Sequence, residues 1–116
     1  GVADDPLFAD AMVAYKLGDN AEARSKWLPL LQAEPNNDTL RYCVACASLG
    51  MNDVSTAIPM FEGVANDAAS TFRDKSQWYL FLAYIKQGDV EKAKALPLDD
   101  DPIYGERVRA IKSELK

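Results

Sequence analysis

The sequence predicts an all-α domain of three stacked helix pairs closed by a C-terminal helix. Residues 16–23 and 86–93 share the order lysine, any residue, glycine, aspartate, and both end on alanine, and residues 49–57 form a looser copy. The closing residues Ala23, Ala57 and Ala93 are 34 and 36 residues apart. A period of that size is typical of helical repeats, in which each pair buries its apolar side against the next pair. No segment alternates apolar and polar residues over a useful length, so no strand is predicted.

The first pair is predicted over residues 4–37. Its helices run over 6–17 and 20–33, and both carry apolar residues at helical spacing. Gly18 readily adopts the left-handed conformation that ends a helix, and Asp19 is a residue type that caps the next one. The segment between the two helices is therefore predicted to be a tight turn.

The second and third pairs follow the same plan over residues 38–73 and 74–98. Their predicted helices span 39–49, 54 to about 66, 75–87 and 90–96. Pro97 ends the last of them, so the second helix of the third pair is short.

A final helix is predicted over about residues 102–115, with Asp101 as its N-cap and Pro102 at its first position. Four apolar residues form one stripe along it: Tyr104, Val108, Ile111 and Leu115. We expect this stripe to cover the open end of the third pair. Residues 4–116 would then form one domain, which suits a typical domain size of about 100–150 residues.

The composition excludes several classes of function. Thirteen lysines and arginines against 18 acidic residues give a net charge of -5, which disfavours nucleic acid as a partner. The longest apolar run, residues 78–85, is far shorter than the roughly 20 residues of a membrane-spanning helix. The chain has no histidine, no phosphate-binding glycine loop and no nucleophile motif. We therefore expect neither enzymatic activity nor a cofactor.

The repeat pattern resembles that of the tetratricopeptide repeat (TPR) family, which has a small residue at position 8, alanine at 20, an aromatic residue at 24 and proline at 32. Counting from Asp4 and Asp38, the matching residues are Ala11, Ala23, Trp27 and Pro35, then Ala45, Ala57 and Phe61. Counting from Asp74, Leu80, Tyr84 and Gly88 fall at positions 7, 11 and 15 of the repeat, and Ala93 falls at position 20. Three residues depart from the pattern. Asp10 stands where the family has leucine, Phe81 occupies the small position, and Pro97 replaces the aromatic residue of the third unit.

The resemblance implies a right-handed superhelical stack with a C-terminal capping helix. Residues 77–94 also look like bacterial TPR domains that hang from a single membrane anchor. This narrower likeness implies a domain of a membrane-anchored or periplasmic bacterial protein. The chain begins with Gly1 rather than methionine, so an upstream signal or anchor could have been removed.

The resemblance further implies a concave groove lined by the first helix of each pair. The groove residues carried over to this sequence are Phe8, Met12, Tyr15, Tyr42, Cys46, Trp78, Tyr79, Leu82 and Ile85. A concave apolar and aromatic surface favours a peptide or partner protein with hydrophobic side chains. Two alternatives remain open at this point. The same face could be buried between two copies of the chain, or it could be covered by the chain itself.

Two further clusters have both a structural and a chemical interpretation. Cys43 and Cys46 form a C-x-x-C pair in the middle of a predicted helix, where they act either as small apolar residues or as a thiol-exchange pair. Zinc would need four ligands, and the chain offers no second pair and no histidine. The acidic residues 99–101 either hold calcium or mark a solvated helix boundary. We expect the structural interpretation in both cases.

Overall fold

The computed structural model describes residues 2–115. Within that range the chain forms a 3-10 turn at Val2–Asp4 and seven α-helices, and it contains no strand. The helices are α1 (Pro6–Lys16), α2 (Asn20–Ala33), α3 (Asp38–Gly50), α4 (Val54–Ala65), α5 (Arg73–Gln87), α6 (Val90–Ala95) and α7 (Gly105–Glu114). The all-α prediction is confirmed. The last residue of the predicted domain, Lys116, lies outside the described range.

Each of the first six helices packs mainly against its neighbours in sequence: α1 on α2, α2 on α3, α3 on α4, α4 on α5, and α5 on α6. Contacts that skip a helix are much sparser, and α3 with α5 is the main example. Local packing of this kind is what a chain of helix hairpins requires, because each hairpin buries its apolar side on the next one.

The three turns between the helices of a pair share one geometry. One or two residues after each first helix, the chain has a residue with a positive φ: 85° at Gly18, 63° at Asn52 and 89° at Gly88. The aspartate that follows donates its N–H to the carbonyl five residues earlier, which is the bond of a Schellman motif. Its side chain then accepts the N–H three residues later and so caps the next helix; these residues are Asp19, Asp53 and Asp89. The looser copy at residues 49–57 forms the same turn without a glycine at this position, because Asn52 can adopt the left-handed conformation.

The core is built on the repeated small and aromatic positions. Ala23, Ala57 and Ala93 are completely buried, so the helices approach closely at each of them. Trp27 and Phe61, four residues after the first two alanines, are also buried and fill the space between neighbouring helices. These large side chains supply much of the apolar burial that holds the first two pairs together.

The apolar core of the third pair includes residues that lie outside its own two helices. Its second helix, α6, is short, and Pro97 stands where the other pairs have an aromatic residue. Leu98 is 1% exposed and Val108 of α7 is fully buried, and both belong to the same apolar cluster as Phe81. Tyr104, Ile111 and Leu115 pack against this cluster as well. The predicted apolar stripe therefore does cover this pair, with Leu98 as a contributor that the sequence did not reveal.

The predicted start of the last helix is wrong. Residues 102–104 form turns, and α7 begins at Gly105. The Asp101 carboxylate accepts the N–H groups of Ile103 and Tyr104, so it stabilises this turn instead of capping a helix that starts at Pro102. Gly105 lies against the backbone of Asp99, where a Cβ atom would be 2.6 Å from the carbonyl oxygen. The close approach explains a glycine at the helix start.

The other predicted helix ends differ from the observed ones by two residues or fewer. The largest difference is at α5, which begins at Arg73 instead of residue 75.

No helix within residues 2–115 combines the length and the apolar character that crossing a bilayer requires.

A polar contact links the first two pairs. The Arg24 guanidinium of α2 donates to the buried Ser48 hydroxyl of α3 at 3.2 Å and to the Asp53 carboxylate at 2.7 Å. The bond from Arg24 lowers the pKa of Asp53 to about 2, and further bonds from Thr56 and Ser55 act in the same direction. The N-cap of α4 is thereby tied to the preceding pair.

Candidate functional site

A cavity of about 170 Å³ lies between the first helices of the three pairs. We call it the tyrosine cavity, and its lining residues are Met12 and Tyr15 of α1, Trp27 of α2, Tyr42, Cys43 and Cys46 of α3, and Tyr79 of α5. Met12 and Tyr15 are three residues apart on α1, and Tyr42 and Cys43 lie four and three residues before Cys46 on α3, so each helix presents these side chains on one side. Five of the nine predicted groove residues meet here: Met12, Tyr15, Tyr42, Cys46 and Tyr79.

The tyrosine rings of the cavity pack against other aromatic rings. Tyr42 stacks on Phe72 with ring centroids 4.7 Å apart and meets Phe61 edge to face at 6.3 Å. Tyr79 stacks on Phe61 at 5.8 Å, and Tyr15 lies tilted against Trp27 at the same centroid distance. Such ring pairs restrain each other's orientation, so the cavity wall is largely preformed.

The polar groups of the cavity influence one another's ionisation. Burial raises the pKa of the Cys46 thiol, and the nearby hydroxyl groups of Tyr15 and Tyr42 act in the opposite direction. Tyr42 likewise opposes the effect of burial on the pKa of Tyr79. Lys75, an exposed residue at the start of α5, is the charged group whose field reaches Cys46.

Burial keeps these groups neutral. It raises the pKa of Tyr15 to about 12 and moves the pKa of Tyr42 further above the ordinary value. It also raises the pKa of Cys46 to about 11 and that of Cys43 to about 12. A thiol-exchange centre needs the opposite shift, because the thiolate is the reactive form. Both cysteines are free and buried, which fits their interpretation as small apolar helix residues.

Metal-binding geometry is not found in the described part of the chain. No group of three or more histidine, cysteine, aspartate or glutamate side chains within residues 2–115 is placed to hold an ion. In the acidic run, the Asp99 carboxylate pairs with the Lys112 ammonium at 2.5 Å, and the Asp101 carboxylate stabilises the turn before α7. Two of the three carboxylates thus have structural roles at a helix boundary.

The other four predicted groove residues do not line the cavity. Phe8 packs on Trp27 with ring centroids 6.1 Å apart. Trp78 stacks on Tyr104 at 5.1 Å with the two rings nearly parallel, so it belongs to the contact with the C-terminal segment. Leu82 and Ile85 are half-buried against the apolar cluster of the third pair. The structure therefore brings five of the nine predicted groove residues to one cavity and distributes the other four over neighbouring contacts.

Two features of the structure were not predicted from the sequence. Trp27 lines the cavity although it lies on a second helix, and its indole N–H is a buried donor with no hydrogen-bond partner among residues 2–115. Depressions of about 520 and 570 Å³ also lie outside the predicted groove, the first around Val13 and Leu17 and the second around Met60. No signal in the sequence separates these positions from ordinary surface residues.

Comparisons with known proteins do not assign a family. No protein-family model matches the chain. A search of curated proteins likewise gave no significant match.

Proposed function

We propose that this chain is a non-catalytic protein–protein interaction domain of the TPR type, which binds a peptide or partner protein on the face formed by α1, α3 and α5. The observation that carries the proposal is the tyrosine cavity, because its wall draws on the first helix of all three pairs. The shared turn geometry at Asp19, Asp53 and Asp89 supports the assignment to a repeat architecture.

The chemistry of this face favours binding over catalysis. Burial leaves the tyrosine hydroxyls and both thiols protonated near neutral pH, so they make poor bases and poor nucleophiles. Aromatic rings in a concave, partly buried setting supply contact area at a low entropic cost, as in protein recognition sites.

The test is a selection of random displayed peptides on the immobilised domain, followed by calorimetry of the best binder. Met12 lines the tyrosine cavity, whereas Val13, the next residue, lines a different depression and is 59% exposed. The Met12→Lys variant places a charge in the proposed face and should weaken peptide binding about tenfold or more, because that charge loses solvation in the complex. The matched Val13→Lys variant should change the affinity by less than about twofold. Equal losses in the two variants would contradict the proposal.

Sedimentation distinguishes the alternative in which this face is buried between copies. The proposal predicts a monomer at micromolar concentration in the absence of peptide. A dimer that Met12→Lys dissociates and Val13→Lys does not would favour self-association through the same face.

A further inference from the structure

We propose that the tyrosine cavity is the anchor pocket of this face, and that it takes one uncharged side chain of phenylalanine or leucine size from the partner polypeptide. This inference rests on the proposed function and adds the chemistry of the bound group. It follows from the volume of the cavity, from the character of its wall, and from the absence of charge among its lining residues.

The volume fits one bulky side chain. An apolar protein cavity of about 150 Å³ is large enough to bind benzene, and the tyrosine cavity measures about 170 Å³. The wall is built mainly from the tyrosine and Trp27 rings together with the Met12 thioether. Aromatic rings and a flexible thioether make favourable contacts with a second ring or a branched aliphatic group.

The lining residues disfavour a charged occupant. The seven of them include no carboxylate, lysine or arginine. A buried ammonium or carboxylate group would thus lose its hydration without gaining a counter-ion. The charge of Lys75 influences Cys46, but Lys75 is exposed and its field is screened by solvent.

A side chain of a polypeptide is favoured over a free small molecule. A free group that fills about 170 Å³ contacts only the seven residues that line the cavity. A side chain is instead delivered by a segment whose flanking residues add contacts along α1, α3 and α5. Phe8 is half-buried and packs on Trp27, which lines the cavity, so it offers such a contact.

The experiment uses toluene, the side chain of phenylalanine, as the probe and methionine methyl NMR as the readout. The chain has three methionines, which report on different places. Met12 lines the tyrosine cavity, Met60 lines another depression of about 570 Å³, and Met51 is an exposed turn residue. We expect toluene to shift the Met12 methyl signal in a saturable way and to leave the other two in place. A shift at Met60 alone, or no shift at all, would overturn the inference.

Charged analogues of the same ring test the neutrality of the pocket. Benzoate and benzylammonium should each bind about tenfold more weakly than toluene or worse, because the cavity offers no counter-ion. Tighter binding of benzylammonium would identify a cation-binding aromatic cage instead, and tighter binding of benzoate would identify an anion site through Lys75. Either result would overturn the assignment of an uncharged occupant.

A filling variant localises the probe. Cys46→Leu adds volume to the cavity floor and should weaken toluene binding about tenfold or more, whereas Cys46→Ala removes the same thiol without filling and should retain it. If Cys46→Leu loses its helical circular dichroism, Met12→Trp fills the cavity from α1, and saturation transfer from the protein to toluene then replaces the methionine signal. Equal toluene affinity in the folded filling variant and in Cys46→Ala would contradict the inference.

Failure of the inference is distinguishable from failure of the proposed function. A selected peptide that binds with the expected sensitivity to Met12→Lys, while toluene never shifts Met12, would overturn the anchor pocket and retain the binding face. If toluene occupies the cavity but no displayed peptide binds, the proposed function is overturned, and with it a polypeptide as the source of the occupant. An alanine scan of a bound peptide should show one dominant phenylalanine- or leucine-sized residue.

Discussion

Replacement of Leu98 by alanine tests whether the segment after α6 completes the core of the third helix pair. Leu98 is 1% exposed and belongs to the apolar cluster that contains Phe81 and Val108. The substitution removes three buried carbon atoms at about 0.8 kcal/mol each, or about 2.4 kcal/mol in all. Incomplete closure of the resulting cavity adds to this, since buried leucine-to-alanine changes cost about 2–5 kcal/mol. We expect Leu98→Ala to lower the free energy of unfolding by about 3 kcal/mol.

Urea unfolding monitored by helical circular dichroism measures this change. With a slope of about 2 kcal/mol per molar urea, the midpoint should fall by about 1.5 M. Ile103→Ala is the matched control, because Ile103 lies in the same segment but is 76% exposed. It should change the free energy of unfolding by no more than about 0.5 kcal/mol. If the two variants unfolded at the same urea concentration, the residues after α6 would not be part of the core.

Two cross-helix contacts give further predictions. Arg24→Ala should destabilise the fold by about 1–3 kcal/mol at neutral pH, because the buried Ser48 hydroxyl loses its partner. The lowered pKa of Asp53 contributes stability that is present above its ordinary value of 3.8 and is lost as the pH falls toward about 2. Between those pH values, the free energy of unfolding should therefore depend less on pH in Arg24→Ala than in the parent chain. An identical pH dependence in the two proteins would contradict the contribution of Arg24 to the pKa of Asp53. Tyr84→Phe removes the hydroxyl that donates to Glu62 between α5 and α4, and a loss of about 1–2 kcal/mol in thermal or urea unfolding is expected. An unchanged midpoint would show that water replaces this bond at no cost.

The sequence predicts the helices well because their determinants are local. Capping aspartates, left-handed glycines and apolar spacing lie within a few residues of the structure they specify, and six of the seven helices in residues 2–115 lie within two residues of their predicted ends. The last helix is the exception. Its start depends on the contact between Gly105 and the Asp99 carbonyl and on the turn at Asp101, neither of which follows from a helix-start pattern.

The proposed binding face is predicted less completely than the helices, because it depends on contacts between distant segments. Position within the repeat places Tyr15, Tyr42 and Tyr79 on one side, and the structure brings them together around one cavity. The same rule assigned Trp78 to the groove, but this ring stacks on Tyr104, which is 26 positions further along the chain. The path of the segment between α6 and α7 brings Tyr104 onto Trp78, and the repeat pattern does not specify that path.

Competition between toluene and a selected peptide tests most directly whether partner recognition uses the tyrosine cavity. The Met12 methyl signal is followed while the peptide is added to the domain already saturated with toluene. If the peptide places a side chain in the cavity, toluene is displaced and the apparent peptide affinity falls in proportion to toluene occupancy. Simultaneous binding of both, with the toluene-induced Met12 shift unchanged, would contradict the assignment of this cavity to partner binding.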